Sequence, residues 1–196
     1  MALISASLVA HLREKTGVGM MDAKRALEES GGDEVRAIEL LRKKGMKAVE
    51  KRQDRVAREG VIEAYVHSNA RVGALLNLAC ETDFVARNAE FRSLAHEIAL
   101  HIAAMNPRYL SPTDIPQEVL EKEQEIYREQ ARAEKKPEAM IDKIVEGKMQ
   151  KFYRETCLLE QVFVKDESKT VKDLIMEATA KIGEKIEIRE FVRMNI

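Results

Sequence analysis

Tryptophan is missing from this 196-residue chain, and all aromatic residues together make up 5%. Sheet sandwiches draw on aromatic and β-branched side chains, so this scarcity points to helices packed by Leu, Ile, Val, Ala and Met. Cysteine is almost absent too. Cys80 and Cys157 lie far apart with no paired neighbour, which excludes a zinc knuckle or a disulfide framework and fits a reducing cytosol. No stretch approaches the ~20 apolar residues that a membrane helix needs. The opening MALISASLVAHLREKTG meets charge at Arg13 and has no basic lead, so it is not expected to act as a signal peptide. A charge surplus is also lacking: 33 Lys and Arg face 34 Asp and Glu, a net charge of −1. Coating nucleic acid by bulk charge needs a surplus of cations, so that class is excluded.

What is present suits a packed, wet-surfaced globule: 45% of residues are hydrophobic and 34% charged. Residues 5–45 read as three short helices. Ser5 or Ser7 caps the first, Leu8 and Leu12 give it a stripe, and Gly17 ends it. The second starts near Met20 or Met21, carries Ala23, Ala26 and Leu27, and stops at Gly31-Gly32. Asp33 caps a third, with Val35, Ile38 and Leu41 expected on one face and Gly45 as its terminator. Residues 42–58 hold eight Lys or Arg against two Asp or Glu, a local charge of +6. A solvated linker helix is expected there rather than a nucleic-acid contact, since no aromatic is interleaved to stack on bases.

The period then changes. Ile62, Ala64 and Val66 alternate with Val61, Glu63, Tyr65 and His67, and Val72, Ala74, Leu76, Leu78 and Cys80 share a face. His67-Ser68-Asn69-Ala70 supplies the turn of a hairpin. Helical spacing resumes with Phe91, Leu94, Ala95, Ile98, Ile102 and Met105, and Asn106-Pro107 stops it. Two further helices are expected over 117–134 and 138–156, as an antiparallel pair over the sheet. A strand over 158–164, a helix over Val171–Ile182 ended by Gly183, and a last strand in KIEIREFVRMNI complete the chain. The fold class is α+β: a three-helix docking unit over 1–45, a basic linker over 46–59, and an antiparallel-sheet core with helices packed on it over 60–196, which also serves dimerisation.

Signs of bond chemistry do not hold up. Gly17-Val18-Gly19 begins like a dinucleotide fingerprint, but Asp22 stands where the third glycine belongs and no strand precedes it; the P-loop pattern fails at Ala23-Lys24. His96-Glu97 is followed by His101 five positions on, about 500° around a helix, so the two imidazoles diverge by about 140° and cannot easily share an ion. Cys80, inside a strand, reads as a small core residue. No enzyme, no metal site and no cofactor is expected.

Two segments stand out. In Thr16-Gly17-Val18-Gly19-Met20-Met21-Asp22, polarizable methionines follow a tight glycine turn, as adaptable contacts or as plugs of a small core. In Glu81-Thr82-Asp83-Phe84-Val85-Ala86-Arg87-Asn88, Thr82 or Asp83 caps one helical turn and Asn88 the next. Phe84 is either a plug under the sheet, which its apolarity favours, or an interface aromatic on a rigid elbow.

TGVGMMDAKRALEESGGD followed by ETDFVARN at this separation resembles the bacterial elongation factor Ts family, exchange factors for elongation factor Tu. The resemblance covers essentially the whole chain, and the ending KIGEKIEIREF is similar as well. It implies a three-helix unit of ubiquitin-associated type, a linker and an antiparallel-sheet core. It implies that Thr82, Asp83, Phe84, Val85, Ala86, Arg87 and Asn88 enter the partner's GTPase domain, with Phe84 wedging beside the Mg²⁺ site of bound GDP and Asp83 next to it. Val18, Gly19, Met20, Met21, Asp22 and Lys24 are implied to dock on another face of that domain. The expected partner is elongation factor Tu, GDP-bound and nucleotide-free, in the cytoplasm, with no nucleic acid and no membrane. Longer relatives carry a duplicated core and a coiled-coil insertion, for which 196 residues leave no room. Short relatives pair two copies, so a homodimer through the 185–195 strand is expected. The cysteine that strengthens some such pairs is absent from Glu190-Phe191-Val192-Arg193.

Overall fold

The computed structural model describes residues 4–50, 52 and 54–196, with residues 42 and 46–50 described by their backbone. The connector expected over 46–59 therefore lies partly outside the described residues. The chain forms two compact units: one holds residues 1–60, 79–91 and 175–187, the other 61–78, 92–174 and 188–196.

In the first unit, α1 (Ala6–Thr16), α2 (Met20–Glu29) and α3 (Glu34–Glu50) follow in order. Ser5 Oγ accepts the Leu8 N–H at 3.2 Å, and Gly17 closes α1 in the left-handed conformation, φ 68°, where a side chain would be strained. Asp33 accepts the Arg36 N–H at 3.1 Å and so caps α3. Val9, Leu12, Ala23, Ala26, Leu27 and Ala37 form a small core, with Leu8, Val18 and Leu41 packed at its margin. Its alanines let the helices approach closely, which is how so short a unit encloses an interior at all.

Two expectations for α3 are corrected. Val35 is 68% exposed and Ile38 is outward, while Ala37 supplies the buried position. Gly45 does not end the helix, which runs on to Glu50. A β-carbon at Gly45 would lie 3.3 Å from Cβ of Ala180, so the glycine marks a close approach of another helix rather than a stop. That helix is α8 (Val171–Ile182), whose residues 175–182 lie in this unit.

The second unit holds most of a three-stranded sheet, ordered β1 (Glu59–Val66), β2 (Val72–Cys80), β5 (Glu187–Asn195). The hairpin closes where the His67 N–H meets the Val72 carbonyl at 2.9 Å, with Ala70 at φ 54° in the turn. The Ile196 N–H reaches the Arg71 carbonyl at 3.0 Å, so β5 ends beside the start of β2 and runs antiparallel to it. Ala74, Leu76 and Leu78 point inward, toward α5 (Ala89–Met105), whose Leu94, Ala95, Ile98 and Ile102 are buried. His96 on α5 meets the ring of Tyr65 edge-on, and Arg193 Nε donates to the Ala103 carbonyl at 3.0 Å. These contacts put Tyr65 and Arg193 on the covered face. By alternation, Ile62, Ala64 and Val66 face out, with Ile62 and Val66 each about two-thirds exposed.

The helices α6 (Gln117–Ala133) and α7 (Glu138–Thr156) pair through a cluster of their own. It contains Ile115, Ala131, Ile141, Val145, Met149, Phe152 and Cys157, and no residue of the three-stranded sheet. The strand expected over 158–164 is corrected. Leu158–Glu160 is a 3-10 turn held by the Leu158 and Leu159 N–H groups on the Tyr109 and Leu110 carbonyls. Only Val162–Phe163 (β3) is extended, paired antiparallel with β4 (Asp166–Thr170), which the sequence did not suggest. Buried Gln161 takes part in a polar hub: its amide donates to the Glu155 carbonyl at 2.9 Å and its carbonyl oxygen faces His101 Nε2 at 3.0 Å.

Candidate functional site

The elbow begins at buried Cys80, where β2 ends. Burial pushes the Cys80 thiol up to about 11, so it stays protonated and unreactive; its Sγ donates to the Thr82 carbonyl at 3.2 Å. Thr82 is extended and its hydroxyl accepts the Val85 N–H at 3.4 Å, which starts the one-turn helix α4 (Asp83–Arg87). Asp83 stands in its first turn and Arg87 in its last, where each suits the helix dipole, and they pair at 3.0 Å. Asn88 stops α4 and its side chain accepts the Glu90 N–H at 2.7 Å, opening α5. The elbow is thus a relay of caps, each local in sequence.

Within that relay Ala86 is buried and roots the turn, Val85 is half-buried, and Phe84 is 84% exposed. The plug reading of Phe84 is overturned: its ring projects from the unit. Thr82, Arg87 and Asn88 are exposed and Asp83 is half-exposed.

The second segment belongs to the same unit. Gly19 precedes α2 in extended conformation, and its carbonyl accepts the Asp22 and Ala23 N–H groups at 3.0 Å. Met20 and Met21 are 50% and 60% exposed, so neither plugs the core. Val18 alone of the loop tucks against that core. Asp22 pairs with Arg25 at 3.6 Å and Lys24 with Glu28 at 3.8 Å, both in solvent.

The two segments meet at a cleft of about 570 Å³. Val18, Gly19 and Met20 line one side, and Val85 and Asn88 the other. Phe84, Asp83, Met21 and Lys24 do not line it. Sequence reasoning missed four of its lining residues: Arg13, Glu90, Lys181 and Ile182. Lys181 and Ile182 come from the end of α8, far along the chain, and no linear pattern could have announced them.

His96 and His101 do not share a site. His96 Nδ1 lies 2.9 Å from Glu63 Oε1, whereas His101 is buried against Gln161, so the two serve different partners. Among the described residues no group of three or more His, Cys, Asp or Glu is arranged to hold a metal ion, and no helix is long and apolar enough to cross a membrane.

Residues 10–196 match the family model described as Elongation factor TS. The chain is 54% identical over 194 residues to elongation factor Ts of Carboxydothermus hydrogenoformans, covering 99% of this chain and 89% of that one. It is 54% identical over 194 residues to elongation factor Ts of Thermosipho melanesiensis, covering 99% of each. Elongation factor Ts of Caldanaerobacter subterraneus subsp. tengcongensis is 56% identical over 191 residues, 97% of this chain and 96% of the relative.

Proposed function

The chain belongs to the elongation factor Ts family, and from that premise we propose that the Thr82–Asn88 elbow is the part that loosens GDP in the partner. Its role is the family's, in translation elongation: a guanine-nucleotide exchange factor that promotes GDP release from elongation factor Tu. The observation that carries the assignment of the elbow is the exposure of Phe84 on a short, capped helix. Leaving a phenyl ring in water forgoes about 1.5–3 kcal/mol that burial would contribute. A rigid mount that holds it out suits a ring whose burial is completed in a second molecule.

In this reading Phe84 wedges beside the Mg²⁺ and phosphate site of the GTPase domain, and Asp83 brings a carboxylate next to it. Val18, Gly19, Met20, Met21, Asp22 and Lys24 dock on another face of the same domain. The methionines suit this because a flexible thioether chain adapts to the surface it meets. The factor holds nucleotide-free elongation factor Tu more tightly than the GDP-bound form, by the same ratio with which it weakens GDP. It speeds dissociation and leaves the final GDP/GTP balance unchanged. No covalent bond is made or broken and no cofactor is needed, so the protein is not an enzyme of bond chemistry; as a translation factor it works in the cytoplasm.

We also propose that residues 1–45 dock, that 46–59 link, and that 60–196 form the core through which two copies pair. The outer sheet face supports pairing: Ile62, Val66, Leu75, Val192 and Met194 are exposed there, and β5 is an edge strand. Apolar side chains at these five positions can meet those of a second copy without like-charge repulsion.

The test is a pull-down of purified elongation factor Tu on the immobilised chain, with and without excess GDP and Mg²⁺. Retention that is lost when both are added supports exchange. Retention that GDP and Mg²⁺ leave unchanged contradicts it.

A further inference from the structure

Three donors converge on one carboxylate behind the elbow. Glu184 Oε2 accepts the Glu81 N–H at 3.1 Å and the Thr82 N–H at 3.0 Å, and its Oε1 accepts the Thr82 hydroxyl at 2.7 Å. The brace is reciprocal. Glu81 Oε1 accepts the Lys185 N–H at 2.6 Å, and the same Glu81 carboxylate pairs with Arg55 at 3.3 Å. Two chain segments a hundred residues apart are therefore cross-tied, each by a carboxylate on the other's backbone. All of these residues lie in the first unit.

The position of Glu184 is informative. It follows the end of α8 by two residues, where the negative pole of the helix disfavours a carboxylate. Its benefit comes from the elbow, through charge-assisted hydrogen bonds to N–H and O–H donors. The third of those donors is the Thr82 hydroxyl, the same oxygen that accepts the Val85 N–H and starts α4. Donating its proton to Glu184 aims the Thr82 lone pairs at the helix. Glu184 thus fixes both the backbone before α4 and the cap that begins it. Phe84 is the second residue of that helix.

We infer that Glu184 is a positioning residue for nucleotide exchange: it sets the direction in which Phe84 leaves the protein. This rests on the assignment of Phe84 proposed above. A carboxylate that merely stabilised the fold would leave stimulated GDP release intact in any variant that stayed folded. A carboxylate that aims the ring lowers the maximal rate while the concentration giving half-maximal stimulation stays nearly unchanged, because docking through Val18–Asp22 does not involve it.

The experiment measures release of fluorescent GDP from elongation factor Tu with the full-length chain and its variants Glu184→Ala, Glu184→Gln, Phe84→Ala and the double variant Phe84→Ala/Glu184→Ala. Glu184→Ala is expected to lower the maximal stimulated rate about as much as Phe84→Ala, roughly tenfold. Glu184→Gln keeps one acceptor oxygen and is expected to fall between. The double variant is expected to be no slower than Phe84→Ala alone, since a residue acting through the ring has nothing left to act on. A Glu184→Ala rate equal to wild type overturns the inference, and so does a double variant in which the two losses multiply. If Glu184→Ala does not fold, as judged by its circular dichroism melt, the comparison passes to Glu184→Gln and to Thr82→Val, which removes the bridging hydroxyl; wild-type rates in both overturn the inference. If Phe84→Ala itself is unimpaired, the exchange assignment fails first, and this inference with it.

Discussion

Lys181 lies across Gly17. A β-carbon at Gly17 would sit 3.0 Å from Cε of Lys181, and the ammonium beyond ends 2.9 Å from Glu90 Oε1. One side chain from the end of α8 thus spans the cleft, its stem over the loop that precedes Met20 and its charge on the helix that follows the elbow. The exposed ion pair contributes little stability on its own. Its geometric effect is larger, because it ties the loop before α2 to the start of α5.

Gly17→Ala is therefore expected to be costly twice over, through positive φ and through the displaced lysine. The strained backbone alone costs about 1 kcal/mol. The measurement is a thermal melt: the variant should unfold at a temperature several degrees lower, about 4–8 °C per kcal/mol for a unit of this size. An unchanged melt would show that the loop relaxes freely.

Replacing Met20 and Met21 together by Ala should raise the concentration of factor needed for half-maximal GDP release, by about tenfold for some 1.4 kcal/mol of lost contact. The maximal rate should hold under the proposed docking role of these side chains. Stimulation curves at several factor concentrations separate the two effects.

Val192→Asp with Met194→Asp places charge in the exposed apolar sheet face. If that face joins two copies, light scattering should show the wild-type mass falling to that of a monomer in the variant. Equal masses for both proteins would contradict the pairing.

His101 gives the fold a sign-defined response to acid. The Val164 N–H donates to Nδ1 at 3.2 Å, so Nε2 carries the proton toward Gln161. Burial holds the imidazole below its ordinary 6.5, the Gln161 bond opposing in part. Protonation would leave a second N–H facing the Val164 donor. With the folded value below the unfolded one, the stabilisation is complete above about pH 6.5 and is lost as pH falls below it. Urea midpoints measured from pH 8 to pH 5 should drop in wild type and fall less steeply in His101→Gln.

Much of this architecture could be read from local chemistry. Thr82 and Asn88 cap their turns as their side chains suggest, and α8 begins and ends where apolar spacing and Gly183 put its limits. Readings that depended on distant partners failed. Gly45 looks like a stop until Ala180 is seen against it. Ile62 and Val66 alternate like core residues yet face outward, because strand period fixes which residues share a face and not which face is covered. Phe84 is the sharpest case. Apolarity alone buries it, whereas the capped turn and the brace from Glu184 to Thr82, across 102 positions, hold it out.

In the proposed mechanism Phe84 loosens GDP in the partner. Its most direct test is the rate of fluorescent GDP release from elongation factor Tu at saturating Phe84→Ala, with the melt of the variant matching wild type. A stimulated rate roughly tenfold lower is expected, about 1.4 kcal/mol of lost differential binding. A rate equal to wild type in the folded variant would contradict it.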